Sequence, residues 1–181
     1  MSDSEQIKRE LYKSYLILVR NLYYQSQPNL EAPKIGEIRK RFLVGSVVFL
    51  SFSMESFIND FGERYVEDFD DFEKMETLNK YLLFPKIANE NASPIIKKSE
   101  QSYASLRLLF HYRNIFVHHK PAFRSKEAKD EKLYSGLDHK IIQNLYVQMI
   151  LILKSFNNQF HMFQDGDDWI SAYSEDINAG V

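Results

Sequence analysis

Apolar positions recur along this chain at steps of three and four, the spacing of one helix face. Ile7, Leu11, Tyr15, Leu18 and Leu22 form a first stripe at steps of 4, 4, 3 and 4, with Ser4 placed to cap it. Pro28 and Pro33 bracket a loop. A second helix is predicted over 35–66, with Leu43, Val47, Leu50, Met54, Phe57, Ile58, Phe61 and Tyr65 on a broad stripe. Phe42, Gly45, Phe49, Phe52 and Ser56 mark a second face on the same helix, expected to meet another subunit. A short acidic helix over 71–83 is expected to stop at Pro85, and 85–98 reads as irregular.

The third long helix is predicted over Ser99–His118, because Lys120 precedes a proline and a residue before proline avoids the helical region. A polar loop over 120–136 follows. The last helix, 138–163, has Asp138 as N-cap and a stripe of Ile141, Leu145, Met149, Ile152, Phe156, Phe160 and Phe163. The tail from Asp165 carries five acids and no base and is expected to fray. The pattern predicts one all-α domain over 1–181, an antiparallel bundle of four main helices with one or two short additional ones.

Composition narrows the chemistry. Six glycines and five prolines in 181 residues are too few for the turns of an all-β fold. A hydrophobic share of 44%, with 14% aromatic, excludes disordered and collagen-like classes. There is no cysteine, so disulfides, thiolate zinc sites and cysteine nucleophiles are excluded. The N-terminal MSDSEQIKRE has no apolar signal region. The longest charge-free apolar stretch, Phe42 to Met54, is 13 residues, short of the roughly 20 that span a bilayer. These features predict a soluble, cytoplasmic protein without a membrane partner.

A net charge of −2 argues against coating nucleic acid by bulk charge, but the charge is uneven. His111–Lys132 holds six bases and three acids, whereas Glu63–Glu76 holds seven acids and two bases. Lys120, Arg124 and Lys126 are therefore candidate contacts to a phosphate backbone, with a plain solvated loop as the alternative. The candidate chemistry lies beside them. On a helical wheel Arg113 falls among Tyr103, Leu106, Leu109, Phe110 and Val117, with Tyr112 on the opposite side and read as a packing residue. A guanidinium on an apolar face must snorkel, pair with an acid or await an anion. Asn114 sits at the edge of this face, and His118 lies one turn further, where the helix stops.

Arginine offers a planar fork to phosphate, histidine moves a proton near neutrality, and asparagine can orient either. RNA needs only a base for its own 2′-hydroxyl and a cation for the charged phosphorane, so this route requires no metal and no cofactor. Two other readings stay open. Arg113 can pair with Glu55, the first charge after the apolar run, either structurally or to hold the guanidinium between turnovers. Asn59 reads as a core amide or a supporting site residue, and His119 as a solvated neighbour or a reserve base. His111, His139 and His161 are scattered and read as structural or surface residues. No phosphate-cradling glycine loop, G-x-S-x-G or H-E-x-x-H occurs, and Asp165, Asp167 and Asp168 lack the later ligands of a calcium loop.

The run Arg113-Asn114-Ile115-Phe116-Val117-His118 resembles the Arg, four to six residues, His motif of the HEPN superfamily. Ser53–Asn59, with Glu55 and Asn59, is similar to the Glu- and Asn-bearing helix of several HEPN groups. The resemblance implies a metal-independent endoribonuclease whose motif is paired with a second copy across a homodimer cleft, leaving 2′,3′-cyclic phosphate ends. It implies that Arg113 holds the scissile phosphate, His118 is the acid/base and Asn114 orients them. Many such proteins are toxins or antiviral effectors, and some pair with a nucleotidyltransferase-type antitoxin. The subset modified by that partner has a Tyr two residues after the motif His, where this chain has Lys120. Other members bind nucleotides or partner proteins without turnover, which is the alternative the resemblance leaves open.

Overall fold

The computed structural model describes residues 11–26, 35–117 and 135–163, with 35–37 by their backbone alone. Ile7 and the Ser4 cap, the Pro28–Pro33 loop, the 120–134 part of the polar loop and the acidic tail all lie outside the described residues. Within them there are six helices: α1 (Leu11–Gln25), α2 (Ile35–Tyr65), α3 (Phe69–Phe72), α4 (Thr77–Ala88), α5 (Gln101–Val117) and α6 (His139–Phe160). The described chain is an all-helical bundle.

Contacts at both ends of each helix fix the directions. Tyr12 meets Phe57 with ring centroids 5.5 Å apart, whereas Tyr15 stacks on Phe49 at 6.0 Å, so α1 runs against α2. Lys40 Nζ donates to the Leu137 carbonyl at 2.7 Å before α6 begins, and the Tyr65 hydroxyl donates to the Phe160 carbonyl at 3.2 Å where α6 ends. α2 and α6 therefore run together. α5 runs against α6: Ser102 Oγ donates to Gln148 Oε1 at 3.3 Å, and Tyr112 lies in the field of Asp138 at the start of α6.

The core is aromatic at its centre. Phe156 receives Phe57 at 5.2 Å, Phe61 at 4.9 Å and Tyr81 at 5.9 Å, all edge to face. Such pairs add about 0.5–1.5 kcal/mol each beyond area burial. Gly62 lets α3 and α4 close over α2: a Cβ there would lie 2.4 Å from the Phe69 ring and 2.8 Å from Phe84. Asp138 caps α6 by accepting from the Ile141 N–H at 2.9 Å, as its position suggests. α6 stops at Phe160, three residues before the expected end. His161 turns left-handed (φ 50) and Asn157 Oδ1 takes the Phe163 N–H at 2.9 Å.

Three expectations are corrected. The buried stripe of α1 is Tyr12, Leu16, Val19 and Tyr23, while Leu11 and Leu18 are each 40% exposed. Both sets satisfy helical spacing, and packing against α2 and α6 decides between them. The freed face of α1 is not idle. Tyr15 covers Phe49 and Phe52, and Leu22 lies against Gly45, so α1 meets much of the second face of α2, while Phe52 and Ser56 also line an open groove. The acidic segment splits into α3 and α4, and α4 continues through Pro85 to Ala88. Proline costs one internal hydrogen bond there, and Pro85 itself is buried and its carbonyl still accepts from Asn89 N–H at 3.1 Å.

The segment Ile38–Tyr65 of α2 is long and apolar enough to cross a membrane, with half of its most apolar stretch buried in the fold. The side chains that make it so, including Val47, Leu50, Met54, Phe57, Ile58 and Phe61, are fully enclosed by the bundle. Core helices acquire this composition because they are covered on two faces.

Candidate active site

α5 delivers Arg113 to the middle of α2. Leu106, Leu109 and Phe110 are buried on its inner face as expected, but Ser105 and Tyr112 complete that face and Val117 is 42% exposed. Tyr112 is the packing residue expected, 2% exposed, but it shares the inner face of α5 instead of lying opposite it. Its ring stacks on Phe116, one turn further along the same helix, at 5.8 Å. Arg113 keeps its place on the inner face, one turn after Leu109.

The guanidinium does not snorkel freely. Arg113 Nη2 donates to Glu55 Oε2 at 3.1 Å, and Nη1 donates to Asn114 Oδ1 at 3.3 Å. Nε is buried and makes no hydrogen bond among the described residues. The pair stands at the edge of the bundle, with the Arg113 and Glu55 side chains 23% and 34% exposed. An ion pair at that depth keeps part of its hydration and remains open to an exchanging anion.

The other oxygen of Glu55 accepts from Thr77 Oγ1, at 3.5 Å, where α4 begins. One turn on, Lys80 is only 3% exposed. Its Nζ donates to Asn59 Oδ1 at 2.8 Å and to the Glu73 carbonyl at 2.7 Å. Burial pulls the Lys80 amine below the usual lysine range, and the charges of Glu55 and Glu73 oppose that pull. Asn59 is thus the satisfied partner of a buried lysine, and Glu55 faces two cations. Tyr81 donates its hydroxyl to the Met54 carbonyl at 2.7 Å, and burial, with Glu55 adding to it, pushes its phenol well above the ordinary value.

Of the expected site residues, Arg113, Asn114, Glu55 and Asn59 come together at one end of α5 and the centre of α2. His118, His119, Lys120, Arg124 and Lys126 lie outside the described residues; His118 directly follows the last described residue of α5. Thr77 and Lys80 were not singled out in the sequence. Lys80 was detectable, because it shares a helical stripe with Thr77, Tyr81 and Phe84, a position that demands a buried polar partner.

Two open grooves flank the pair. Glu55 lines one of about 420 Å³ together with Tyr15, Asn59, Asp60 and Glu63. Asn114 lines another of about 550 Å³, with Lys98, Tyr103, Arg107 and His111. No protein-family model matches the chain, and no curated protein and no solved structure matches it either.

Proposed function

We propose that this chain is a metal-independent endoribonuclease of HEPN type with Arg113, Asn114 and His118 as its working residues, acting as a homodimer in the cytoplasm as a toxin or antiviral effector. The observation that carries this reading is the state of Arg113. Its guanidinium is held at the bundle edge by Glu55 and Asn114, its buried Nε makes no hydrogen bond among the described residues, and it stands five residues before His118 in sequence.

In the proposed reaction His118 takes the proton from a ribose 2′-hydroxyl. The 2′-oxygen attacks phosphorus, the P–O5′ bond breaks, and the proton is returned to the leaving 5′-oxygen. Arg113 replaces its contact to Glu55 with the charged phosphorane, to which it can offer two parallel donors. Asn114 holds the guanidinium plane while that exchange occurs. The product is a 2′,3′-cyclic phosphate with a free 5′-hydroxyl. The candidate partner is a cognate antitoxin or a nucleotidyltransferase-type protein, and Lys120, where the modified subset has Tyr, argues against control by modification.

The test is cleavage of a mixed RNA pool in excess EDTA by the purified protein, with end-group mapping and the mass measured by light scattering. Cyclic phosphate ends that disappear in Arg113→Ala and His118→Ala support the reading. The closed Arg113–Glu55 pair also suits a second one, a nucleotide- or partner-binding module without turnover. That reading gains if RNA stays intact while nucleotide binding is measurable.

A further inference from the structure

The outward face of α5 carries a row in which Arg107 and His111 are exposed and serve neither the core nor the Arg113 contacts. Arg107, His111 and Asn114 follow at steps of 4 and 3, so they share one helix face, and Tyr103 lies one turn before Arg107. Lys98, from the segment ahead of α5, joins the same groove, and Glu76 is the single carboxylate among its described lining residues. Neither Lys98 nor Arg107 makes an ion pair among the described residues. The groove volume of about 550 Å³ falls within the range of about 300–1,000 Å³ that holds small organic ligands.

We infer that this groove is a track for single-stranded RNA that feeds the strand past Asn114 to Arg113. The inference rests on the ribonuclease reading and names the strand state of its substrate. Lys98 and Arg107 line the same groove and supply two phosphate contacts, of which Arg107 offers the planar fork. Tyr103, half-buried, lines the same groove, and an aromatic face takes an unpaired base of any identity. His111 and Asn114 offer hydrogen bonds to base edges or the 2′-hydroxyl. A duplex hides its base faces and leaves Tyr103 nothing to stack on. Asn114 belongs to both places, because it lines the groove and accepts from Arg113. The groove on the Glu55 side is lined by Glu55, Asp60 and Glu63, the first two paired with Arg113 and Arg64, and offers a phosphate backbone no cation among its described lining residues.

The test uses the full chain and a short single-stranded 2′-O-methyl RNA, which cannot be cleaved because its 2′-oxygen is blocked. Fluorescence anisotropy across a salt series compares the parent with Lys98→Glu/Arg107→Glu, with the neutral pair Lys98→Gln/Arg107→Gln, and with Tyr103→Ala. The charge reversal is expected to weaken binding about tenfold or more and to flatten the log–log salt slope by about 1.4, or 0.7 per lost phosphate contact. Tyr103→Ala is expected to weaken binding about fivefold or more without changing that slope. The neutral pair keeps the test valid if the reversal fails to fold.

The track is overturned if the parent does not bind the single strand, if it prefers the matching duplex, or if the folded charge variants bind as the parent does. The two readings fail separately. A parent that binds through Lys98 and Arg107 but never cleaves RNA leaves the track and removes the nuclease. A parent that cleaves RNA, with charge variants of unchanged kcat/KM and affinity, leaves the nuclease and removes the track.

Discussion

Glu55 Oε2 lies 3.1 Å from Arg113 Nη2, joining the centre of α2 to the last turns of α5. The two residues are 58 apart in sequence, so the contact forms only once the bundle has closed. It places a carboxylate where a phosphate oxygen would sit, and the carboxylate competes with substrate for the same donor. Glu55→Gln keeps the shape and an acceptor oxygen but removes the charge. The variant is expected to bind uncleavable RNA about three- to tenfold more tightly, in line with the roughly 1 kcal/mol of a partly exposed ion pair. Titration of both proteins at one salt concentration checks this. Unchanged or weaker binding in a folded Glu55→Gln protein would mean that Glu55 does not oppose substrate.

Removing the cation itself acts in the opposite direction. Arg113→Ala is expected to lower RNA cleavage about a hundredfold or more, the usual loss when a donor to a charged intermediate is deleted. Arg113→Lys should recover little, since a single ammonium cannot reproduce a planar fork held by Glu55 and Asn114. His118→Ala should cost about 10²–10⁴ through lost proton transfer. Initial rates on one RNA, with circular dichroism on each variant, decide the matter. A folded Arg113→Lys enzyme with full activity would reduce the role of Arg113 to a point charge.

The helices were legible because their apolar spacing leaves few other solutions, and the N-cap at Asp138 declared where α6 begins. Arg113 was legible for the reverse reason, a charge on a face that should hold none. What stayed hidden depended on partners. The two overlapping stripes of α1 are equivalent until α2 and α6 select Tyr12, Leu16, Val19 and Tyr23. Pro85 reads as a stop, yet α4 carries on through it to Ala88. Nothing local says that Arg107 faces a groove, and the stripe that marks Lys80 as buried does not name Asn59 as its partner.

Gly62 tests the approach of α3 and α4 to α2. A methyl group there meets two aromatic rings, at 2.4 Å and 2.8 Å, in positions that cannot simply swing away. Overpacking of that kind costs about 1–3 kcal/mol, while replacing a helical glycine by alanine returns up to about 1. Gly62→Ala is therefore expected to lower stability by about 1–2 kcal/mol in urea unfolding. Adding Phe69→Ala should make the two changes non-additive, with the pair less damaging than their sum. A stabilised Gly62→Ala protein would show that the rings do not pack on the Gly62 backbone.

Tyr81 gives stability a definite dependence on alkaline pH. Its hydroxyl is held by the Met54 carbonyl at 2.7 Å, and burial beside Glu55 keeps it protonated well above the ordinary phenol range. In the unfolded chain it ionises near pH 10. Above that pH the folded state binds one more proton than the unfolded state, so stability falls by up to about 1.4 kcal/mol per pH unit. Tyr112 adds a contribution of the same sign, from burial and from Asp138. Lys80 acts oppositely, because burial favours its neutral amine and its contribution rises as pH climbs toward the unfolded value of 10.5. Tyr81→Phe leaves those two groups in place and removes only the first. It should cost about 1 kcal/mol at neutral pH through the lost hydrogen bond, then lose stability more slowly above pH 10, so the two curves converge near pH 11. Unfolding free energies between pH 8 and 11 check this. Parallel curves would mean that Tyr81 titrates in the folded protein as it does in the unfolded chain, and that its enclosure by α2 and α4 opens to water.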